Sequence, residues 1–256
     1  MSSDGALRSL CYTESVSPRL QAVVIAGGLA TRMRPHTLTI PKAMLDVAGR
    51  PFIDWLLEKL ASAGYRDVVL CIAHLGEQIR AHVGDGSRFG LHAAYSEEGE
   101  KLLGTGGALR AALPLLDETF LVTYGDSYLP FDYAGPLQRL RAHDDCDAVM
   151  SVFKNQGQWD ASNTQIDADA TWVIRYEKGT KDPALDHIDY GAIALRRSVL
   201  EKEPAGVAFG LDRIQNALAA QRRLRAYPAR ERFFEIGSPE GLATLSQHLG
   251  RAPVES

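Results

Sequence analysis

From Gln21 to Ala26 the chain is mostly apolar and β-branched, and it closes on Gly27-Gly28, which predicts a buried parallel strand. Over residues 51–63 the spacing changes: Phe52, Leu56 and Leu60 recur on one helical face, Pro51 suits a first turn and Gly64 stops the run. A second buried strand follows in "DVVLCIAH" from Asp67, a helix in "GEQIRAHV" from Gly76, and a third strand in "LHAAYSE" from Leu91. The alternation continues with a helix over 105–113, a strand in "TFLVTYGD" from Thr119, a helix over 132–143 and a strand in "DAVMSVF" from Asp147. Strands and helices alternating at this spacing imply right-handed crossovers, hence an α/β fold with a mostly parallel central sheet flanked by helices.

After residue 153 the rhythm becomes β-rich. "NTQIDA", "TWVIRYEK" and "HIDYGAIAL" read as short strands between Asp- and Gly-rich turns, followed by a helix over 210–221, short strands in "LRAYPA" and "RFFEIG", and a closing helix. With no repeat, low-complexity tract or linker, the expectation is a leader over 1–20 and one domain over 21–250. That domain divides into halves at 21–153 and 154–236 and ends in a helix over 238–249.

Composition narrows the function classes. At 45% hydrophobic and 23% charged residues the 256-residue chain is ordinary globular protein, and a net charge of −4 offers no global attraction to nucleic acid or acidic membranes. No apolar run reaches the length of a membrane span and the first 20 residues hold no signal-like core, so a cytoplasmic protein is expected. Cys11, Cys71 and Cys146 are widely separated and odd in number, which reads as reduced thiols.

The chemistry concentrates after the first strand. Glycines at the carboxyl end of a strand let backbone N–H groups approach an anion closely. The loop is neither a Walker A sequence nor the G-x-G-x-x-G fingerprint. Arg32, Arg34 and Lys42 follow within about ten residues, with Pro35 and Pro41 stiffening the path, a pattern suited to a polyphosphate. None of the seven histidines is assigned a catalytic role.

"AGGLATRMRP" from Ala26, Pro41-Lys42, and Val47 with Arg50-Pro51 together resemble the signature of the sugar-1-phosphate nucleotidyltransferases. In the same order come "LLGTGGAL" from Leu102, "YGD" from Tyr124, "YEKG" from Tyr176, "IDYGA" from Ile188 and "FFEIGSPEGL" from Phe233, so the resemblance spans about residues 20–250. It implies a Rossmann-like nucleotidyltransferase fold with a small β-rich sugar-binding portion.

The resemblance also implies roles. Ala26, Gly27, Gly28, Thr31 and Arg32 would hold the nucleoside triphosphate, and Glu98, Gly104, Thr105 and Gly106 would frame base and ribose. Arg32, Lys42 and Asp126 would carry catalysis, with Asp126 and Glu235 as Mg²⁺ ligands. Tyr124, Glu177, Lys178, Asp189 and Gly191 would bind the sugar 1-phosphate. The chain departs from the family pattern at Ala30, where glycine is usual, at Glu235, where aspartate is common, and at Gly179, where proline is frequent.

The reaction expected is nucleotidyl transfer from an NTP to a sugar 1-phosphate, with GTP and a heptose or mannose 1-phosphate as the first reading. "GDGSRFGL" and "YSEEGE" are equally reminiscent of N-acetylmuramate-1-phosphate uridylyltransferases, so UTP with that sugar is an alternative, as is a CTP-dependent cytidylyltransferase. A non-catalytic domain that binds nucleotide or sugar is the rival from another class. Neither nucleic acid nor membrane is expected as a partner, and the oligomeric state is open, with a homodimer one option.

Overall fold

The computed structural model describes residues 19–99, 101–155, 157–158 and 161–250. Cys11 and most of the expected leader lie outside them, as does the end of the chain from Arg251.

In chain order the strands are β1 (Leu20–Ile25), β2 (Asp46–Val47), β3 (Arg50–Pro51), β4 (Tyr65–Ile72), β5 (His92–Glu97), β6 (Thr119–Tyr124), β7 (Ser127–Tyr128), β8 (Ala148–Lys154), β9 (Thr164–Ile166), β10 (Val173–Tyr176), β11 (His187–Arg196), β12 (Leu224–Ala229) and β13 (Phe234–Glu235). The helices are α1 (Phe52–Ser62), α2 (Gly76–Val83), α3 (Gly104–Ala111), α4 (Ala134–Arg141), α5 (Arg197–Glu201), α6 (Asp212–Ala220) and α7 (Pro239–Gly250). The expected elements are present with ends shifted by a few residues. Helix α5 and the short strands β2, β3 and β7 were not anticipated.

Nine strands form one sheet in which β1 lies between β4 and β6, both parallel to it, and β5 extends the parallel run beyond β4. Alternation along β1 explains its burial on both faces. Ala22 and Val24 point into one apolar cluster, and Val23 points into the other. The first cluster receives Phe52, Leu56 and Leu60 of α1, Leu137 and Leu140 of α4, and Leu245 of α7. The second receives Leu109 of α3, Leu200 of α5, and Ile214 and Leu218 of α6. Two helical layers therefore sandwich the sheet. Each fully buried Leu, Ile or Phe contributes about 1.5–3 kcal/mol against solvent exposure.

The β-rich second half joins the central sheet. Strand β11 pairs antiparallel with both β6 and β8, and β12 pairs parallel with β8. The boundary expected between residues 153 and 154 falls within β8, whose partners β11 and β12 both follow it in the chain. Strands β9 and β10 continue the sheet beyond β11.

Candidate active site

The site gathers at the carboxyl ends of the central strands. Strand β6 ends at Tyr124, and Gly125 N–H then bonds the Ile25 carbonyl at 2.9 Å. A Cβ on Gly125 would come within 2.9 Å of Ala26 Cβ, so glycine is needed for the two strand ends to meet. This crossing sets Asp126 beside the loop that follows β1.

That loop is anchored from within. Met33 is buried in the core and pins the turn carrying exposed Arg32, while buried Pro41 and Ala43 flank Lys42. Ala30 adopts a left-handed conformation at φ 46, ψ 43, where a side chain is disfavoured. The turn is held by Met33 N–H and Thr37 Oγ1–H, which both donate to the Ala30 carbonyl, at 3.0 and 2.8 Å.

Lys42 Nζ lies 2.7 Å from Asp126 Oδ2, with the lysine side chain only 16% exposed. From the far end of the chain, β13 pairs with β7 so that Glu235 lies opposite Ser127, and Ile236 N–H donates to the Asp126 carbonyl at 3.0 Å. The next residue, Gly237, is buried. A Cβ there would sit 3.5 Å from Arg32 Nη2, 3.6 Å from Lys42 Nζ and 4.0 Å from Glu235 Oε2. Two cations and two carboxylates, drawn from three distant segments, converge on one point.

Two adjoining cavities share Thr105, Tyr124 and Asp126 as walls. The smaller, about 190 Å³, is lined also by Ala26, Gly28, Ala30 and Lys42. The larger, about 520 Å³, adds Arg32, Asn163, Lys178, Asp189, Gly191 and Glu235. Tyr124 loses acidity first by burial and then through the surrounding carboxylates Asp189, Asp126, Asp212 and Glu235, so it stays a neutral hydroxyl.

Glu98 stands against the glycine turn. Its Oε1 would be 2.8 Å from a Cβ on Gly27, and its Oε2 accepts the Leu103 N–H at 2.6 Å. Burial raises the Glu98 pKa, partly offset by that N–H bond. Beside it a hollow of about 440 Å³ opens at the ends of β4 and β5, lined by Ala73, Gln78, Glu97 and Gly99 among others.

The expected residues do not all arrive. Glu177 is exposed and its carboxylate is engaged by Arg175 at 2.5 Å, away from the cavity that its neighbour Lys178 lines. Thr31, like Arg34 and His36, is exposed and lines neither cavity. Gly104 and Gly106 serve packing: added Cβ atoms would meet the Phe209 carbonyl at 2.8 Å and its ring at 2.3 Å, respectively. Gly106 N–H and Gly107 N–H both donate to that carbonyl, and Thr105 Oγ1 accepts the Leu211 N–H at 2.8 Å.

Three further positions border the candidate site: Gly125 permits the close approach to Ala26, Gly237 faces Arg32 and Lys42, and Gln215 reaches Asp189 Oδ2 with its Nε2 at 2.9 Å. The signal for Gln215 was a polar residue on the buried face of α6, between Ile214 and Leu218.

Among the described residues no three His, Cys, Asp or Glu side chains gather as a ready-made metal cage, and no helix is long and apolar enough to cross a membrane.

A family model described as nucleotidyl transferase matches residues 21–251. The chain is 44% identical over 120 residues to the N-acetylmuramate alpha-1-phosphate uridylyltransferase of Neisseria meningitidis, a match covering 46% of this chain and 52% of that one. It is 32% identical over 242 residues to the mannose-1-phosphate guanylyltransferase of Mycobacterium tuberculosis, covering 93% of this chain and 67% of that one. The chain thus spans about half the length of the first relative and two thirds of the second. Among solved structures, HddC from Yersinia pseudotuberculosis shares the fold with a TM-score of 0.72 at 24% identity, over 90% of this chain and 99% of that one.

Proposed function

The chain belongs to the nucleotidyl transferase family, and we propose that it joins a nucleoside triphosphate to a sugar 1-phosphate, giving a nucleotide sugar and pyrophosphate. The observation that carries this reading is the convergence of Arg32, Lys42, Asp126 and Glu235 where the two cavities meet.

The sugar phosphate is mostly a dianion at neutral pH, since the second pKa of a phosphate monoester is about 6. It therefore needs no general base. An oxygen lone pair of the sugar phosphate forms the new bond to the α-phosphorus, and the bond to the β-bridging oxygen breaks with its electron pair leaving on pyrophosphate. The barrier lies in bringing two anions together, so catalysis rests on positioning and charge. Arg32 and Lys42 meet the triphosphate, each charge-assisted hydrogen bond contributing about 1.5–3 kcal/mol. Gly28 leaves the backbone open towards the smaller cavity. Lys178 takes the 1-phosphate of the sugar in the larger one.

Asp126 and Glu235 fit Mg²⁺, which takes one or two carboxylates and fills its remaining positions with phosphate oxygens and water. Bound there, the ion would neutralise charge on the phosphates. Lys42, paired with Asp126, is then positioned to turn towards the incoming α-phosphate.

For the base, Glu98 favours guanine: a carboxylate accepts from both the ring N1–H and the exocyclic amine. Its fixed place against Gly27, beside the hollow at the ends of β4 and β5, supports GTP, with a heptose or mannose 1-phosphate as second substrate. UTP with N-acetylmuramate 1-phosphate is the second reading, favoured by the 44% identity to the Neisseria enzyme. Soluble nucleotide and sugar phosphate as partners also fit a cytoplasmic enzyme of nucleotide-sugar biosynthesis.

Pyrophosphate release with Mg²⁺, measured across the four NTPs and a panel of sugar 1-phosphates, tests the reading. Turnover with GTP and a hexose or heptose 1-phosphate is expected. Nucleotide binding without turnover for every pair would favour a sensor instead.

A further inference from the structure

Asp189 sits on β11 at the wall of the larger cavity, while its neighbour Tyr190 points into the core. Three donors converge on the Asp189 carboxylate. Gly191 N–H reaches Oδ1 at 3.1 Å, and Gln215 Nε2 and the Tyr176 hydroxyl reach Oδ2 at 2.9 and 3.2 Å. Its own backbone N–H donates to Asn163 Oδ1 at 2.8 Å. Three donors on two oxygens is the arrangement an ionised carboxylate takes.

Gln215 is 1% exposed, and its Nε2 also lies 3.1 Å from Met150 Sδ. Its Oε1 is buried without a hydrogen-bond partner. An orphaned buried carbonyl is unfavourable, and it is tolerated here because the amide must turn its donor side to Asp189. The chain therefore spends stability on fixing one carboxylate in the cavity wall.

The balance of charge around it gives that carboxylate a purpose. The larger cavity is lined by the carboxylates Asp126, Asp189 and Glu235 and by two cations, Arg32 and Lys178; with Asp126 and Glu235 assigned to Mg²⁺ in the reading above, Asp189 is the carboxylate of that wall left to face the sugar. Arg32 lies beside Lys42 near Gly237, at the triphosphate end, and Lys178 is required for the 1-phosphate. The rest of the sugar then faces Asp189, Asn163 and Tyr176, where hydroxyl groups find acceptors and a second anion finds no cation.

Resting on the sugar 1-phosphate reading above, we propose that Asp189, oriented by Gln215 and Tyr176, selects sugars whose only negative charge is the 1-phosphate, namely neutral hexoses and heptoses. Sugars carrying a carboxylate, including uronates and the lactyl ether of N-acetylmuramate, are repelled. Asp189 contacts the substrate; Gln215 acts through it as a positioning residue.

The test uses pairs matched in size and differing in one charge: mannose against mannuronate 1-phosphate, and glucose against glucuronate 1-phosphate. Each is assayed with the full chain as substrate and, where turnover is absent, as a competitive inhibitor against the accepted sugar. The wild type is expected to favour the neutral member by about 10²-fold in kcat/KM or inhibition constant, as like charges confined in one cavity require. Asp189→Asn should narrow that ratio at least about tenfold, the discrimination lost with one like charge. Gln215→Leu should raise KM for the neutral sugar while leaving KM for the nucleotide unchanged, a split that general loosening of the fold would not give. Equal use of both members by the wild type, or an unchanged ratio in Asp189→Asn, overturns the proposal. No turnover with any sugar 1-phosphate overturns the transfer reading itself, and the proposal with it.

Discussion

Lys42 Nζ and Asp126 Oδ2 stand 2.7 Å apart, an ion pair that ties the glycine loop to the end of β6 across 84 residues of chain. The pair holds each partner in the cavity and keeps either charge from being stranded before substrate enters. Lys42→Ala should reduce kcat/KM for pyrophosphate release by roughly 10²–10³-fold, the effect of losing one key electrostatic stabiliser. Asp126→Ala should cost a similar amount. The double variant should lose less than the product of the two, because the residues act as a unit. Multiplicative losses would show that they act separately.

Gly237 offers a steric probe of the same point. A Cβ there falls at ordinary contact distance from Arg32 Nη2 and Lys42 Nζ, 3.5 and 3.6 Å, so Gly237→Ala should fold normally. It should nonetheless crowd phosphates held between those cations and raise KM for the nucleotide at unchanged Tm. Arg32→Ala should lower turnover by roughly 10²–10³-fold. Steady-state kinetics beside a thermal melt checks both variants.

Ala30 stores strain that glycine would release. A left-handed residue with a side chain costs about 1–2 kcal/mol, against about 0.5–1 kcal/mol of extra unfolded-state entropy for glycine. Ala30→Gly is therefore expected to stabilise the protein by up to about 1 kcal/mol, a Tm rise of about 2–4 °C for a chain of this size. A lower Tm would mean that the alanine methyl group contributes packing that outweighs the strain.

The alanine at position 30 stands out in the sequence only against the family pattern, where glycine is usual; its left-handed conformation is a finding of the structure. The parallel core was legible in the sequence, since β1, β4 and β6 are short apolar runs with few polar interruptions. What stayed hidden depended on long-range pairing. The β-rich second half read as a distinct half of one domain because local periodicity carries no information on partners, and the β11 register shows that it joins β6 and β8. Gly106 looked like a ligand-binding glycine, yet it is required by Phe209, which lies about a hundred residues away and carries no local signal. Glu177 and Lys178 are adjacent in sequence and diverge in space because Arg175 takes the glutamate.

Glu98 gives a dependence on pH with a defined sign. Burial raises its pKa above the ordinary carboxylate value, so on acidification it gains a proton earlier than an exposed glutamate would. A protonated Glu98 cannot accept from both guanine donors, and KM for GTP should rise as pH falls towards that raised pKa. Glu98→Gln should bind GTP more weakly and lose this component of the profile. Titration of the substrate phosphates is common to both proteins and cancels in the comparison. Parallel profiles for wild type and variant would remove Glu98 from base recognition.

The most direct measurement follows the α-phosphorus. Wild-type protein is incubated with Mg²⁺, a sugar 1-phosphate panel and each NTP labelled in turn at the α- and γ-phosphates, and the products are separated. The α-label should appear in a nucleotide sugar and the γ-label in pyrophosphate, in equal amounts, with both falling roughly 10²–10³-fold in Lys42→Ala. Recovery of intact NTP from every mixture, or α-label in free nucleotide with none in a nucleotide sugar, would contradict transfer to a sugar phosphate.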